Sequence, residues 1–160
     1  MKRMLYSLFF ITIFITISVL LLSACGSEQT ADEKDWELTT YEAVNTLDGV
    51  TMNVKEETVS ATGLTVTFEN NTDKQCIYSE DFLLEKKIDG KWYQVPVILD
   101  NYGFNEPGYE INPSSEWTVD WEWLYGSLDS GEYRIVKSVL GFRGTGDYDE
   151  HHLTAEFTID

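Results

Sequence analysis

The sequence predicts an all-β protein, an antiparallel sandwich of about seven strands. Three observations predict it. From Val50 onward, short segments alternate apolar and polar residues with period two. Turn clusters such as Asn70-Asn71-Thr72-Asp73 and Asp89-Gly90 punctuate those segments. No pattern of helical period supports a long helix beyond the N-terminal stretch.

The elements follow in order. Residues 50–56 alternate, and in 64–69 Leu64, Val66 and Phe68 share one face while threonines take the other. Residues 82–88 and 91–97 flank Asp89-Gly90, a strong hairpin signal because both residues tolerate positive φ. Pro96 donates nothing to a ladder, so that strand end belongs at a sheet edge. Residues 99–113 read as a long loop carrying Asn101, Tyr102, Gly103, Pro107 and Gly108. Residues 115–121, 132–140 and 153–159 complete the set. Aromatic residues make up 14% of the chain, enough to build a core.

The N-terminus carries a different message. Lys2 and Arg3 precede an apolar run from Leu5 to Leu22, followed by Ser23-Ala24-Cys25. Positive, then apolar, then small residues is the order of a secretory signal. The ending Leu22-Ser23-Ala24-Cys25 resembles the lipobox of bacterial lipoproteins. That resemblance implies cleavage before Cys25, a diacylglycerol on its thiol, and a protein held by this lipid on the outer face of the membrane. The alternative is an uncleaved transmembrane helix, since a span needs roughly 20 apolar residues. Ser7, Thr12, Thr16 and Ser18 dilute the run and argue for cleavage. The expected organisation is a signal over 1–24, the lipidated Cys25 with a flexible acidic tether over 25–48, and one domain over 49–160. Residues 26–38 are polar and acidic without apolar period and read as flexible tether, while residues 39–49 read either as a short helix or as an entry strand.

Charge narrows the partners. The chain has 11 basic and 28 acidic residues, a formal charge of −17. Losing Lys2 and Arg3 with the signal leaves 9 basic against 28 acidic residues, or −19. Such a domain is repelled by nucleic acid and by anionic lipid heads. Cations, basic proteins and neutral glycans remain. Cys76 has no intramolecular partner once Cys25 is lipidated, and it lies beside apolar Ile77. It reads as a buried thiol acting as a small hydrophobe; no His or C-x-x-C neighbour is present to activate it.

Leu128-Asp-Ser-Gly131-Glu-Tyr133 precedes the sixth strand. It resembles the tyrosine corner of immunoglobulin-like sandwiches, in which a tyrosine hydroxyl bonds back to the preceding backbone. Gly49-Val50, Thr62-Gly63-Leu64-Thr65, Glu85-Lys86, Asp89-Gly90-Lys91-Trp92-Tyr93, Trp117-Thr118-Val119-Asp120-Trp121, Tyr125-Gly126 and Gly131-Glu132-Tyr133-Arg134-Ile135 widen the likeness. Together these residues resemble bacterial immunoglobulin-like domains of the kind found in secreted and lipid-anchored proteins of Gram-positive bacteria. The resemblance implies a β-sandwich with an extracytoplasmic interaction role. It brings no catalytic residues, and the inter-sheet disulfide of antibody domains is missing here.

Three segments are candidate sites. In 117–125, a single extended strand would put Trp117, Val119, Trp121, Trp123 and Tyr125 on one face, as core or as an exposed platform for sugar rings. A turn after Trp121 would break that face. In the loop 99–113, Tyr102, Phe104 and Tyr109 offer contact area, with Asp100 and Glu106 to steer a basic partner. In 147–152, Asp147, Asp149 and His151 are weak candidate metal ligands in what reads as a solvated hairpin loop. No G-x-S-x-G, H-E-x-x-H or P-loop motif occurs, so neither an enzyme nor a cofactor is expected. The expected function is a binding module for an unknown protein or glycan. The alternative is a regulator or inhibitor of an envelope protease or receptor acting through its loops, for which Asn112-Pro113-Ser114-Ser115 is only a faint echo.

Overall fold

The structure is a computed structural model, and it describes residues 35–160. The N-terminal apolar stretch, Cys25 and the first part of the tether lie outside the described residues.

Nine strands form two antiparallel sheets. They are β1 (Val50–Val54), β2 (Gly63–Asn70), β3 (Gln75–Tyr78), β4 (Leu83–Ile88), β5 (Lys91–Gln94), β6 (Tyr109–Glu110), β7 (Ser114–Asp120), β8 (Gly131–Gly144) and β9 (Asp147–Ile159). One helical turn, α1, spans Glu122–Tyr125. The first sheet has the order β1-β2-β7. Its register pairs Leu64 with Val119 and Val66 with Trp117, so the apolar alternation seen in the sequence faces inward.

The second sheet is built around β8. β9 runs along one edge of β8 for its whole length. The other edge is shared end to end. β4 pairs with Tyr133–Val136, and β3 pairs with Val139–Phe142. β5 extends β4, and the short β6 extends β3. The β4–β5 hairpin turns at Asp89 (φ 50) and Gly90 (φ 78), the two left-handed residues such a turn requires.

The sharing of one edge leaves a gap opposite Lys137 and Ser138. Lys137 fills it from the inside. It sits between the core residues Ile135 and Val139 and is fully buried. Its Nζ donates to the carbonyls of Ser79 and Asp81, in the β3–β4 connection. The ammonium also lies 4.1 Å from the Trp117 ring centroid. Burial pulls its pKa down to about 8, while Asp81 and Glu80 act the other way.

Tyr133 begins β8 in the core and donates its hydroxyl to the carbonyl of Asp129 at 2.9 Å. Its ring stacks on Phe157, which in turn meets Trp121. Buried Leu128 lies under the same turn. Cys76 is buried on β3, and burial pushes its thiol pKa up.

Three expectations need correction. The strands number nine among the described residues, because β3 and β6 each pair with a distant partner across a short length. The segment expected as a hairpin loop, 147–152, is ladder: β8 and β9 continue paired out to Gly144 and Asp147, with a bulge at Phe142/Gly144. Residues 36–38, read by composition as tether, and residues 39–47, read as a short helix or an entry strand, are an irregular segment fastened to the sheets. Leu38 bridges to Tyr93, and Asn45 bonds to His152 and Thr154 on β9.

Candidate interaction surface

The strand carrying the tryptophans stops at Asp120. Asp120 Oδ1 accepts from Glu122 N–H at 2.9 Å, and this side-chain cap turns the chain into α1. Gly126, at φ 72, ends the turn, with its N–H on the Glu122 carbonyl. The backbone here is helical, so Trp123 and Tyr125 do not continue the face of Trp117. Leu124 and Tyr125 point into the core, and Trp123 points out with 44% exposure. Trp121 is wholly buried, its Nε1 donating to the Ala61 carbonyl at 3.0 Å. Trp117 is buried as well. The common aromatic face is therefore absent, for the physical reason that one carboxylate cap and one glycine convert the strand's end into a turn.

The long loop returns to this turn. Ile98 N–H donates to the Leu124 carbonyl at 2.9 Å. Half-buried Phe104 packs on Phe82, whose ring also meets Trp117 and Tyr125. On its outer side Phe104 meets both Trp123 and Tyr102, each with a centroid separation of 5.9 Å and an edge-to-face angle. A continuous line of rings thus leads from the core, through Phe104, to the surface. Ile98 is 62% exposed and Tyr102 49% exposed, and Val97 and Leu99 are exposed beside them. Anchored at its base and apolar at its tip, this surface has the composition of an interface core. Asp100 and Glu106 are exposed within the same loop.

The base of the surface is tied to β4. Tyr125 Oη accepts from Leu84 N–H at 3.4 Å, and burial raises its pKa to about 12. The hydroxyl therefore stays neutral throughout the ordinary pH range.

The two-sheet topology and the Tyr133 hydroxyl bond are those of an immunoglobulin-like sandwich. The sequence matches the bacterial Ig-like domain over residues 46–158. The chain belongs to that family. Neither a curated protein nor a solved structure matches it. Bacterial Ig-like domains are extracellular-type modules of interaction and are generally not catalytic. No helix among the described residues of this Ig-like domain is long and apolar enough to cross a membrane.

The other candidates of the Ig-like domain fall elsewhere. Tyr109 is exposed on β6, with its ring against Tyr78 and its hydroxyl donating to Glu80 Oε1 at 2.7 Å. It makes no ring contact with Tyr102 or Phe104. Asp147 and Asp149 are engaged by Arg143, at 2.8 and 2.6 Å. That guanidinium holds the Asp149 carboxyl below its ordinary pKa. The carboxylates thus face a fixed cation, and no cluster of three or more metal-ligating side chains occurs among the described residues. Sequence reasoning missed Val97, Ile98 and Leu99 as members of the surface. Their signal was an apolar run directly after Pro96, where a strand can no longer hide it.

Proposed function

We propose that this bacterial Ig-like domain is the folded part of a lipid-anchored extracytoplasmic protein, acylated at Cys25, which binds a partner protein through Ile98, Tyr102, Phe104 and Trp123. The observation that carries the binding role is the ring chain from Phe82 through Phe104 to the exposed Trp123 and Tyr102. Exposed aromatics seated on a packed base lose little entropy on contact, which is what makes them effective anchors. Edge-to-face rings give a knobbed surface, better suited to protein pockets than to the flat stacking of sugars. The acidic Asp100 and Glu106 steer a basic rim toward it. The anchor rests on the Leu22-Ser23-Ala24-Cys25 ending.

Two measurements test this. Mass spectrometry of the mature N-terminus should find diacylglyceryl Cys25; an intact Met1 sinks the anchor. Full-length protein and its Tyr102→Ala and Trp123→Ala variants should be compared in capture from native envelope, with thermal stability measured alongside. Anchors of this type cost 2 kcal/mol or more of binding, about thirtyfold in affinity. Equal capture by equally stable variants sinks the surface, and capture of glycan alone sinks the protein partner.

A further inference from the structure

A second, separate surface lies along the outer edge of β9. β9 pairs with β8 on one side only. On its other side Asn45 takes the carbonyl of His152 and the N–H of Thr154. Backbone groups alternate in direction along a strand, so Glu156 and Thr158 turn theirs to the same open edge. Among the described residues, no backbone group bonds to them there. Beside this edge lies β1, whose outer side is also without a strand partner.

Between the two edges runs a groove of about 550 Å³, lined by Met52, Val54, Ala155 and Glu156 among others. A second depression, of about 480 Å³, continues past Glu56 along Thr158 and Ile159. Asp48, Glu56, Glu156 and Asp160 line the two, and no lysine, arginine or histidine does. None of these four carboxylates has an ion-pair partner among the described residues.

We infer that the β9 edge and its groove receive an extended, Lys/Arg-rich segment of a partner protein, which adds to the sheet as a further antiparallel or parallel strand. The unpaired N–H and C=O groups of Glu156 and Thr158 supply backbone bonds, the usual source of affinity in strand addition. The carboxylates select the occupant. A basic side chain opposite Glu156 completes a cross-strand charge pair. A second copy of this chain brings the same carboxylates to the contact, and its formal charge of −17 opposes the approach.

The test uses the full chain in detergent and three synthetic peptides of equal length: alternating Lys-Thr, alternating Glu-Thr, and alternating Lys-Pro. The last keeps the charge and removes every second backbone donor. Calorimetry should detect binding of the Lys-Thr peptide alone, with amide shifts at Glu156 and Thr158 in the NMR spectrum. Thr158→Pro removes an outward N–H without touching the β8–β9 ladder, and should weaken binding about fivefold. Glu156→Lys should weaken it more, and Trp123→Ala should leave it unchanged. That last arm separates this groove from the aromatic surface. Equal binding of Lys-Pro and Lys-Thr peptides, or no effect of Thr158→Pro in a variant that melts like the parent, reduces the attraction to unspecific charge and overturns the inference. Absence of Lys-Thr binding overturns it as well.

Discussion

Arg134 Nε donates to Glu85 Oε2 at 2.5 Å, and both side chains are buried on the outer face of the second sheet. The cover comes from the entry segment. Arg134 Nη2 also donates to Thr39 Oγ1 at 3.1 Å, and the guanidinium stacks over Trp92 at 4.7 Å from its centroid. Glu85 Oε1 is buried without a hydrogen-bond partner. Arginine is thus the main compensation for a carboxylate held away from water.

Breaking this pair should be costly. Arg134→Met leaves the Glu85 carboxylate buried and unpaired, a loss of about 3–5 kcal/mol. Glu85→Met with Arg134→Met removes both charges and should cost far less, because the desolvation of two ions disappears with their attraction. Urea unfolding of the two variants decides it. Equal losses would show that packing, and not the ion pair, sets the cost.

Tyr133→Phe removes the hydroxyl bond to the Asp129 carbonyl and keeps the ring against Phe157. The expected loss is about 0.5–1.5 kcal/mol. Thermal melts read it directly. A loss of several kcal/mol would mean that the hydroxyl holds more than the corner.

Lys137 makes stability depend on alkaline pH. Burial pulls its folded pKa to about 8, below the ordinary lysine value of about 10.4. Between these values the unfolded chain holds a proton that the folded protein has released. Stability from this group therefore rises with pH across that window. The tyrosines complicate an absolute curve, since burial raises the pKa of Tyr125 and Tyr41 and works in the opposite sense at higher pH. Lys137→Met isolates the effect. Relative to this variant, the parent should gain up to about 2 kcal/mol between pH 8 and pH 10. A flat difference would show that its bonds to the two carbonyls keep the ammonium charged.

Much of the fold was legible in local pattern. Leu64, Val66 and Phe68 face inward because period-two alternation allows only one burial solution for that strand. Asp89-Gly90 encoded its hairpin through backbone freedom alone. Leu128, Gly131 and Tyr133 lie within one turn of each other, so the corner could be read from a six-residue spacing. The fates of Trp121 and Trp123 were not legible, although they are two residues apart. They depend on whether Asp120 caps a turn, and the strand pattern and the turn pattern share those residues. β3 and β6 were missed because two to four residues carry no usable period, and their partners lie far along the chain.

What the sequence by itself determined is therefore the all-β class, the family, the faces of the long strands and the acidic character of the domain. These follow from local periodicity, spacing and composition. Only the tertiary structure decided that Lys137 closes a gap between two strands sharing one edge, that Glu85 meets Arg134 across the sheet, and that Tyr102 and Trp123 join through Phe104. Each joins residues from separate elements: Glu85 and Arg134 stand 49 positions apart. Their meeting is fixed by sheet order and register, and no local stretch of chain contains that information.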